Sequence, residues 1–281
     1  MALKPVDKLL AGYVGFLTIL IAVRGGVGQP TWWLLGAHLL LAVLLVLFAR
    51  LGPHDRLGQL LYDCYPLILL GGFYTELGLL SLDFGVGRLL EHDRVVQGWD
   101  QLLFGFQISY DWIRRSPSVF WSGLLHFAYF TYYPIIYLSP IALLLAGRRQ
   151  GARQVVLATM TAFVVCYVVF ALYPVAGPNY AFAHPIGPVR DVWSARLVYS
   201  VLDLGSAIGT AFPSSHVAAT AATVAALWWA SRRAFAVAVV PAALLVVATV
   251  YCQMHYGVDA LAGLGVAALA VAVVRAVGAE A

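Results

Sequence analysis

Long apolar runs dominate the chain and restrict what it can fold into. Segments at about 7–23, 32–50, 59–81, 119–146, 153–173, 212–230, 234–252 and 256–276 each reach or approach the roughly 20 apolar residues that a helix needs to cross a bilayer. Lipid offers the backbone no hydrogen-bond partners, so such runs are helical. Only 11% of residues are charged, against about 25% in a soluble domain, too few to coat a water-facing surface. The sequence therefore predicts an all-α, polytopic helical membrane protein of about eight transmembrane helices, with one membrane domain over residues 1–281. The first run follows Lys4 and Lys8 as a signal-peptide core would. Arg24-Gly25-Gly26 offers no cleavage site, so this run is read as a span. The third run holds Asp63, Pro66 and Glu76; Glu76 is read as marking a frayed helix end rather than a buried contact.

A net charge of +4 invites a nucleic-acid reading, but the basic residues sit in short loops between spans, where they report topology instead. With eight spans both termini share a side. That side holds 10 Lys and Arg and the other 7, and the loops 147–152 and 231–233 are purely basic. Both termini are therefore expected in the cytoplasm. The three cysteines, Cys64, Cys166 and Cys252, are far apart and show neither disulfide nor zinc spacing.

Two segments on the external side exceed connector length. Residues 82–117 interleave Trp99, Phe104, Phe106, Tyr110 and Trp112 with Asp100, Asp111, Arg114 and Arg115, a pattern that suits an interfacial helix. Residues 173–210 begin with Pro174, Gly177 and Pro178, which exclude a regular helix there. Long ordered loops are often functional.

Two motifs open on this external side. In Met254-His-Tyr-Gly-Val-Asp259, His255 and Asp259 are four residues apart and would share one helical face. A carboxylate there fixes the histidine tautomer and raises the basicity of the other ring nitrogen. In Phe212-Pro-Ser-Ser-His216, Pro213 suits the first helical turn. Ser214, Ser215 and the free N–H groups of that turn form an anion site. His216 beside it is placed to protonate a leaving oxygen.

Ala211-Phe-Pro-Ser-Ser-His216 and His255-x-x-x-Asp259 resemble the second and third signature motifs of the type 2 phosphatidic acid phosphatase superfamily. The resemblance implies a six-helix phosphatase-like core, here 59–281, behind two additional spans in 1–58. It also implies that His255 is a nucleophile forming a phosphohistidine, that Asp259 orients it, and that His216 protonates the leaving alcohol. Ser214 matches the phosphate-cradling serine, and no metal or cofactor is required. Ala248-Thr-Val-Tyr-Cys-Gln-Met-His-Tyr-Gly-Val-Asp259 is similar to the inositol phosphorylceramide synthase (aureobasidin-sensitive) branch; Gly98-Trp-Asp-Gln-Leu-Leu-Phe-Gly105 and Ala128-Tyr-Phe-Thr-Tyr-Tyr133 are so more loosely.

The departures from the family pattern redirect the expected chemistry. The lysine and arginine-proline of the first motif are missing; Tyr173-Pro-Val-Ala-Gly-Pro178 stands near their place. Ala248-Thr249 replaces the serine-arginine before the nucleophile, and Ser215 replaces a glycine. A dianionic phosphomonoester needs strong cationic clamping, whereas a phosphodiester needs less. The expected function is transfer of a phosphoryl-alcohol head group from a phospholipid such as phosphatidylinositol to a lipid alcohol. The alternatives are hydrolysis of a phospholipid or polyprenyl phosphate, a non-enzymatic transporter or scaffold, and a metal site built from His216, His255 and Asp259. Arg190 and Arg196, or Arg114 and Arg115, are candidate phosphate-binding cations. Asp100, Tyr180 and His184 are candidate substrate contacts. His38, His54, His92 and His126 are read as packing or loop residues. The expected partners are membrane lipids, with the site on the external (periplasmic, extracellular or lumenal) face.

Overall fold

The computed structural model describes residues 3–24, 29–51, 56–82 and 85–278; His54 lies outside them. Every regular element among these residues is helical. The chain runs α1 (Pro5–Arg24), α2 (Gln29–Leu51), α3 (Arg56–Leu82), α4 (Val86–Phe104), α5 (Ile108–Arg115), α6 (Val119–Phe130), a π-helical turn (Pro134–Leu138) and α7 (Ser139–Leu145). It continues through α8 (Arg149–Leu172), the short α9 (Pro178–Ala181) and α10 (Pro188–Asp191), then α11 (Trp193–Gly205), α12 (Ser215–Ala230), α13 (Arg232–Tyr251) and α14 (Gly257–Gly278). A single bridge pairs Val175 with Thr210.

Six helical stretches, Pro5–Arg24, Leu57–Ser81, Val119–Leu145, Arg149–Leu172, Arg232–Tyr251 and Gly257–Val277, are long and apolar enough to cross a membrane. The chain is an integral membrane protein. Among the described residues, the other two of the eight expected spans do not meet that length and composition. Helix α2 runs from Gln29 to Leu51, and Trp32–Leu44 is its apolar stretch among the residues whose side chains are described. Helix α12 has 16 residues, about 24 Å at 1.5 Å per residue. It lies at the centre of the bundle against α8, α13 and α14, so protein rather than lipid surrounds it. Its Ala218, Ala219, Ala222 and Ala226 are buried, and such small side chains let helices approach closely. Thr159 and Thr223 pair across α8 and α12 at 2.6 Å.

Glu76 is not at a frayed end. Helix α3 continues to Leu82, and Glu76 Oε1 lies 2.7 Å from His38 Nε2, both side chains buried. His38 Nδ1 is 2.9 Å from Thr18 Oγ1. A carboxylate at membrane depth is tolerated when it faces a partner inside the bundle, and here that contact ties α1, α2 and α3 together.

The fourth expected span is interrupted. Pro134 lacks an N–H and its ring displaces the preceding turn, so α6 ends at Phe130 and the chain resumes as a π turn. Such turns re-aim side chains. Tyr132, Tyr133 and Tyr137 from this region all line one cavity beside His216. The expected interfacial helix of 82–117 is two helices, α4 and α5.

Candidate active site

His216 stands in the first turn of α12. Ser214 caps that helix, its hydroxyl accepting from Val217 N at 3.3 Å. Pro213 therefore precedes the cap and is not in the first helical turn. Ser214 N donates to the Asp259 carbonyl at 3.0 Å, which binds the start of α12 to the start of α14. Gly263 permits that approach: a Cβ there would lie 2.6 Å from the Ser214 carbonyl oxygen. Helix starts leave their first N–H groups without intrahelical acceptors; here these include Ser215 and His216.

His255 does not lie on a helix. Helix α14 begins at Gly257, so the four-residue spacing to Asp259 does not define a shared helical face. Instead α13 ends in a tight turn in which the Thr249 carbonyl accepts from Met254 N at 3.0 Å and His255 N at 2.9 Å. Gln253 adopts φ 60° to close it. Asp259 Oδ2 accepts from Tyr256 N at 2.7 Å and lies 3.5 Å from His255 Nδ1. The nearer partner of Nδ1 is the Ala211 carbonyl oxygen, at 3.0 Å. A carbonyl can only accept, so in neutral His255 the proton sits on Nδ1 and Nε2 carries a lone pair.

The two imidazoles have centroids 5.6 Å apart. Tyr129 Oη lies 3.1 Å from His216 Nε2, and Tyr132 packs on the same ring at 4.3 Å. His216 and His255 line a cavity of about 50 Å³ together with Tyr180, Ser206, Thr210 and Ser215. Tyr74, Tyr129, Leu202, Ser206, Ser215 and His216 also line a second cavity of about 170 Å³. Tyr132, Tyr133, Tyr137 and Tyr167 extend this second space into the helical bundle.

Helix α4 holds the site from behind through two buried carboxylates. Asp100 accepts from Gly257 N at 3.2 Å and Val258 N at 2.8 Å. It is fully buried, anchors the start of α14 and does not line the histidine cavity. Asp93, which the sequence reading did not single out, accepts from Ala176 N at 2.8 Å, Gly177 N at 2.9 Å and the Tyr256 hydroxyl at 2.7 Å. The segment it fixes continues into Val175, whose carbonyl accepts from Ala211 N at 3.1 Å. Asp93 thus supports, one step removed, the carbonyl that holds His255. Burial pushes both carboxyls above their ordinary range, and the hydrogen bonds they accept oppose that shift.

The remaining candidates separate by position. Tyr180 and Ser215 line the histidine cavity, and Ser214 serves as a helix cap behind it. Arg190 stacks over Tyr199 at 4.1 Å and Arg196 is exposed on α11; neither lines the cavity. His184 packs near Tyr199, with its pKa lowered by partial burial and by Arg190. Arg114 comes nearer: it donates to Gln253 Oε1 at 2.8 Å and to the Tyr110 carbonyl at 2.6 Å. Those contacts, with one to the Ala183 carbonyl, commit it to holding the turn before His255. Tyr129 falls within a segment noted for its loose family similarity, but its role beside His216 had no local signal. Among the described residues, no group of three or more His, Cys, Asp or Glu is arranged to hold a metal ion, so the metal-site alternative has no ligand set here.

Comparison with curated proteins gave no match, and comparison with solved structures gave none. A protein-family model described as the PAP2 superfamily matches residues 96–273. That span covers both histidines, Asp100, Tyr129 and Asp259, and more than half of the chain, and on this match the chain belongs to the PAP2 superfamily.

Proposed function

We propose that this protein transfers a phosphoryl-alcohol head group from a phospholipid such as phosphatidylinositol to a lipid alcohol, through a phosphohistidine on His255. Membership of the superfamily supports phosphatase or phosphotransferase chemistry on lipids. One observation favours the diester donor: among the described residues, no Lys or Arg lines the cavity between the histidines. A phosphodiester carries one negative charge, which the Ser215 and His216 N–H groups and a protonated His216 can balance. A dianionic monoester would remain under-neutralised there.

In the first step the Nε2 lone pair of His255 attacks phosphorus. The P–O bond to the lipid alcohol breaks, and His216 as imidazolium gives its proton to the departing oxygen. In the second step neutral His216 takes the proton of the acceptor hydroxyl. That oxygen attacks phosphorus, the P–N bond breaks and His255 is restored. A nucleophile needs about 3–3.5 Å to its target and an acid about 2.6–3.2 Å to the leaving oxygen. Rings 5.6 Å apart suit one phosphoryl group between them. The tyrosine-lined cavity beside His216 suits the apolar part of donor or acceptor.

The test offers the purified protein head-group-labelled phosphatidylinositol, with and without a lipid alcohol. Label transferred to the acceptor supports the reading. Phosphate release from phosphatidic acid without a transfer product would overturn it and leave a hydrolase with water as acceptor.

A further inference from the structure

A third cavity, of about 420 Å³, lies where the first turns of α8 meet α1 and α3. It sits at the opposite end of the bundle from the histidines. Arg148 Nη1 bonds the Ala230 carbonyl at 2.8 Å, so the start of α8 meets the end of α12, and His216 is at that helix's other end. The 16 residues of α12 separate the two places by roughly 24 Å.

Its walls carry Lys4, Arg149 and Arg153 against one lining carboxylate, Asp63. Asp63 is fully buried. Its Oδ2 accepts from Arg149 Nε at 2.7 Å and its Oδ1 from Arg153 Nε at 2.9 Å. Each guanidinium is therefore held by its Nε edge alone, and the terminal Nη groups of both have no partner among the described residues. The two arginines are one turn apart on α8, and each takes one oxygen of Asp63. Their side chains are 36% and 42% exposed and remain reachable. A planar fork of free N–H groups matches phosphate oxygens bidentately. Lys4 adds a third positive charge and is itself paired with Asp7 at 3.7 Å. Beyond the cations the wall turns apolar, with Val156, Leu157, Val274 and Val277.

A structural ion pair explains why Asp63 has partners. It does not explain why two arginines share one carboxylate by single N–H contacts beside an open, half-apolar cavity. Basic pockets at the ends of membrane helices suit anionic head groups. We propose that this cavity binds a net-anionic, phosphate-bearing amphiphile, its phosphate on the Arg149 and Arg153 forks and its chain along the valine and leucine wall. This site is separate from the histidine cavity and does not depend on the catalytic reading.

The phosphate could come from a lipid or from solution, and the test separates the two. Purified protein in phosphatidylcholine nanodiscs is titrated with short-chain phosphatidylglycerol, with short-chain phosphatidylcholine and with inorganic phosphate, and binding is read by native mass spectrometry and by thermal shift. The wild type should bind phosphatidylglycerol at least tenfold more tightly than either comparator. The double variant Arg149→Lys, Arg153→Lys keeps both charges beside Asp63 but loses the forks, and should lose that preference about tenfold while remaining folded. His255→Ala should keep it, which separates this cavity from the catalytic one. Equal binding of phosphatidylcholine, equal binding of inorganic phosphate, or an undiminished preference in the lysine variant would each overturn the proposal. If the lysine variant does not fold, Val277→Asp, which charges the apolar wall and spares the ion pairs, should weaken phosphatidylglycerol binding; no weakening overturns the proposal equally.

Discussion

The Ala211 carbonyl oxygen lies 3.0 Å from Nδ1 of His255, nearer than any carboxylate. A main-chain acceptor fixes the imidazole tautomer through the fold. The nearby carboxylate of Asp259, at 3.5 Å, then holds the loop as much as the ring, because the same oxygen accepts from Tyr256 N. This division of labour sets the first prediction.

His255→Ala should lower turnover by at least about 10³-fold, as removal of a nucleophile does. Asp259→Asn should cost less, about 10- to 100-fold, because the Ala211 carbonyl still holds the Nδ1 proton. Transfer rates with labelled donor measure both. An Asp259→Asn loss as deep as that of His255→Ala would make the carboxylate the principal orienting group.

His216→Ala should slow the reaction by about 10²–10⁴-fold, the range for loss of a general acid. Tyr129→Phe removes the hydroxyl at Nε2 and should cost about tenfold. It should also move the acidic limb of the pH–rate profile, because that hydroxyl bears on the protonation of His216. A profile unchanged in Tyr129→Phe would assign the tyrosine to packing alone.

Asp100→Asn should destabilise the fold by about 1–3 kcal/mol, since an amide can accept only one of the two N–H groups that Asp100 now satisfies. Its pH dependence has a definite sign. Burial raises the Asp100 carboxyl above its ordinary 3.8, so the folded state binds that proton more tightly than the unfolded state does. The associated stability is fully present below pH 3.8 and is lost as pH rises through the folded value. Thermal unfolding in detergent across that window should fall with pH in the wild type and fall less in Asp100→Asn.

Gly263→Ala should displace the start of α12, because the new Cβ would meet the Ser214 carbonyl oxygen at 2.6 Å. Overpacking of this kind costs about 1–3 kcal/mol. Activity should drop more than tenfold at a temperature where the variant is still folded. Gly265→Ala, whose Cβ meets nothing within 4 Å, is the matched control.

Turnover should survive prolonged chelation. Among the described residues, no carboxylate lines the cavity between the histidines, and two imidazoles alone fall short of the three protein ligands of a catalytic zinc site. Loss of activity in EDTA, restored by one particular divalent ion, would contradict the histidine-nucleophile reading.

Apolar run length determined the membrane-helix class from sequence alone, because lipid forces every such run to satisfy its own backbone. The two histidine motifs were legible for a related reason: each sits where an apolar run begins, and helix starts carry local capping signals. Those local signals could not say how deeply an element is enclosed. The run 212–230 was legible as an apolar segment, but only the structure shows that its helix has 16 residues and is enclosed by α8, α13 and α14. Glu76 looked like an end until His38 was found beside it. The same limit governs the site. Asp100 looked like a substrate contact, Asp93 like nothing in particular, and Arg190 and Arg196 like phosphate cations. Only the fold shows what each of them touches, because hydrogen bonds between residues far apart in the chain leave no periodicity in the sequence. Ala211 is the extreme case: its function resides in a backbone carbonyl that every residue possesses, and only the tertiary structure aims it at His255.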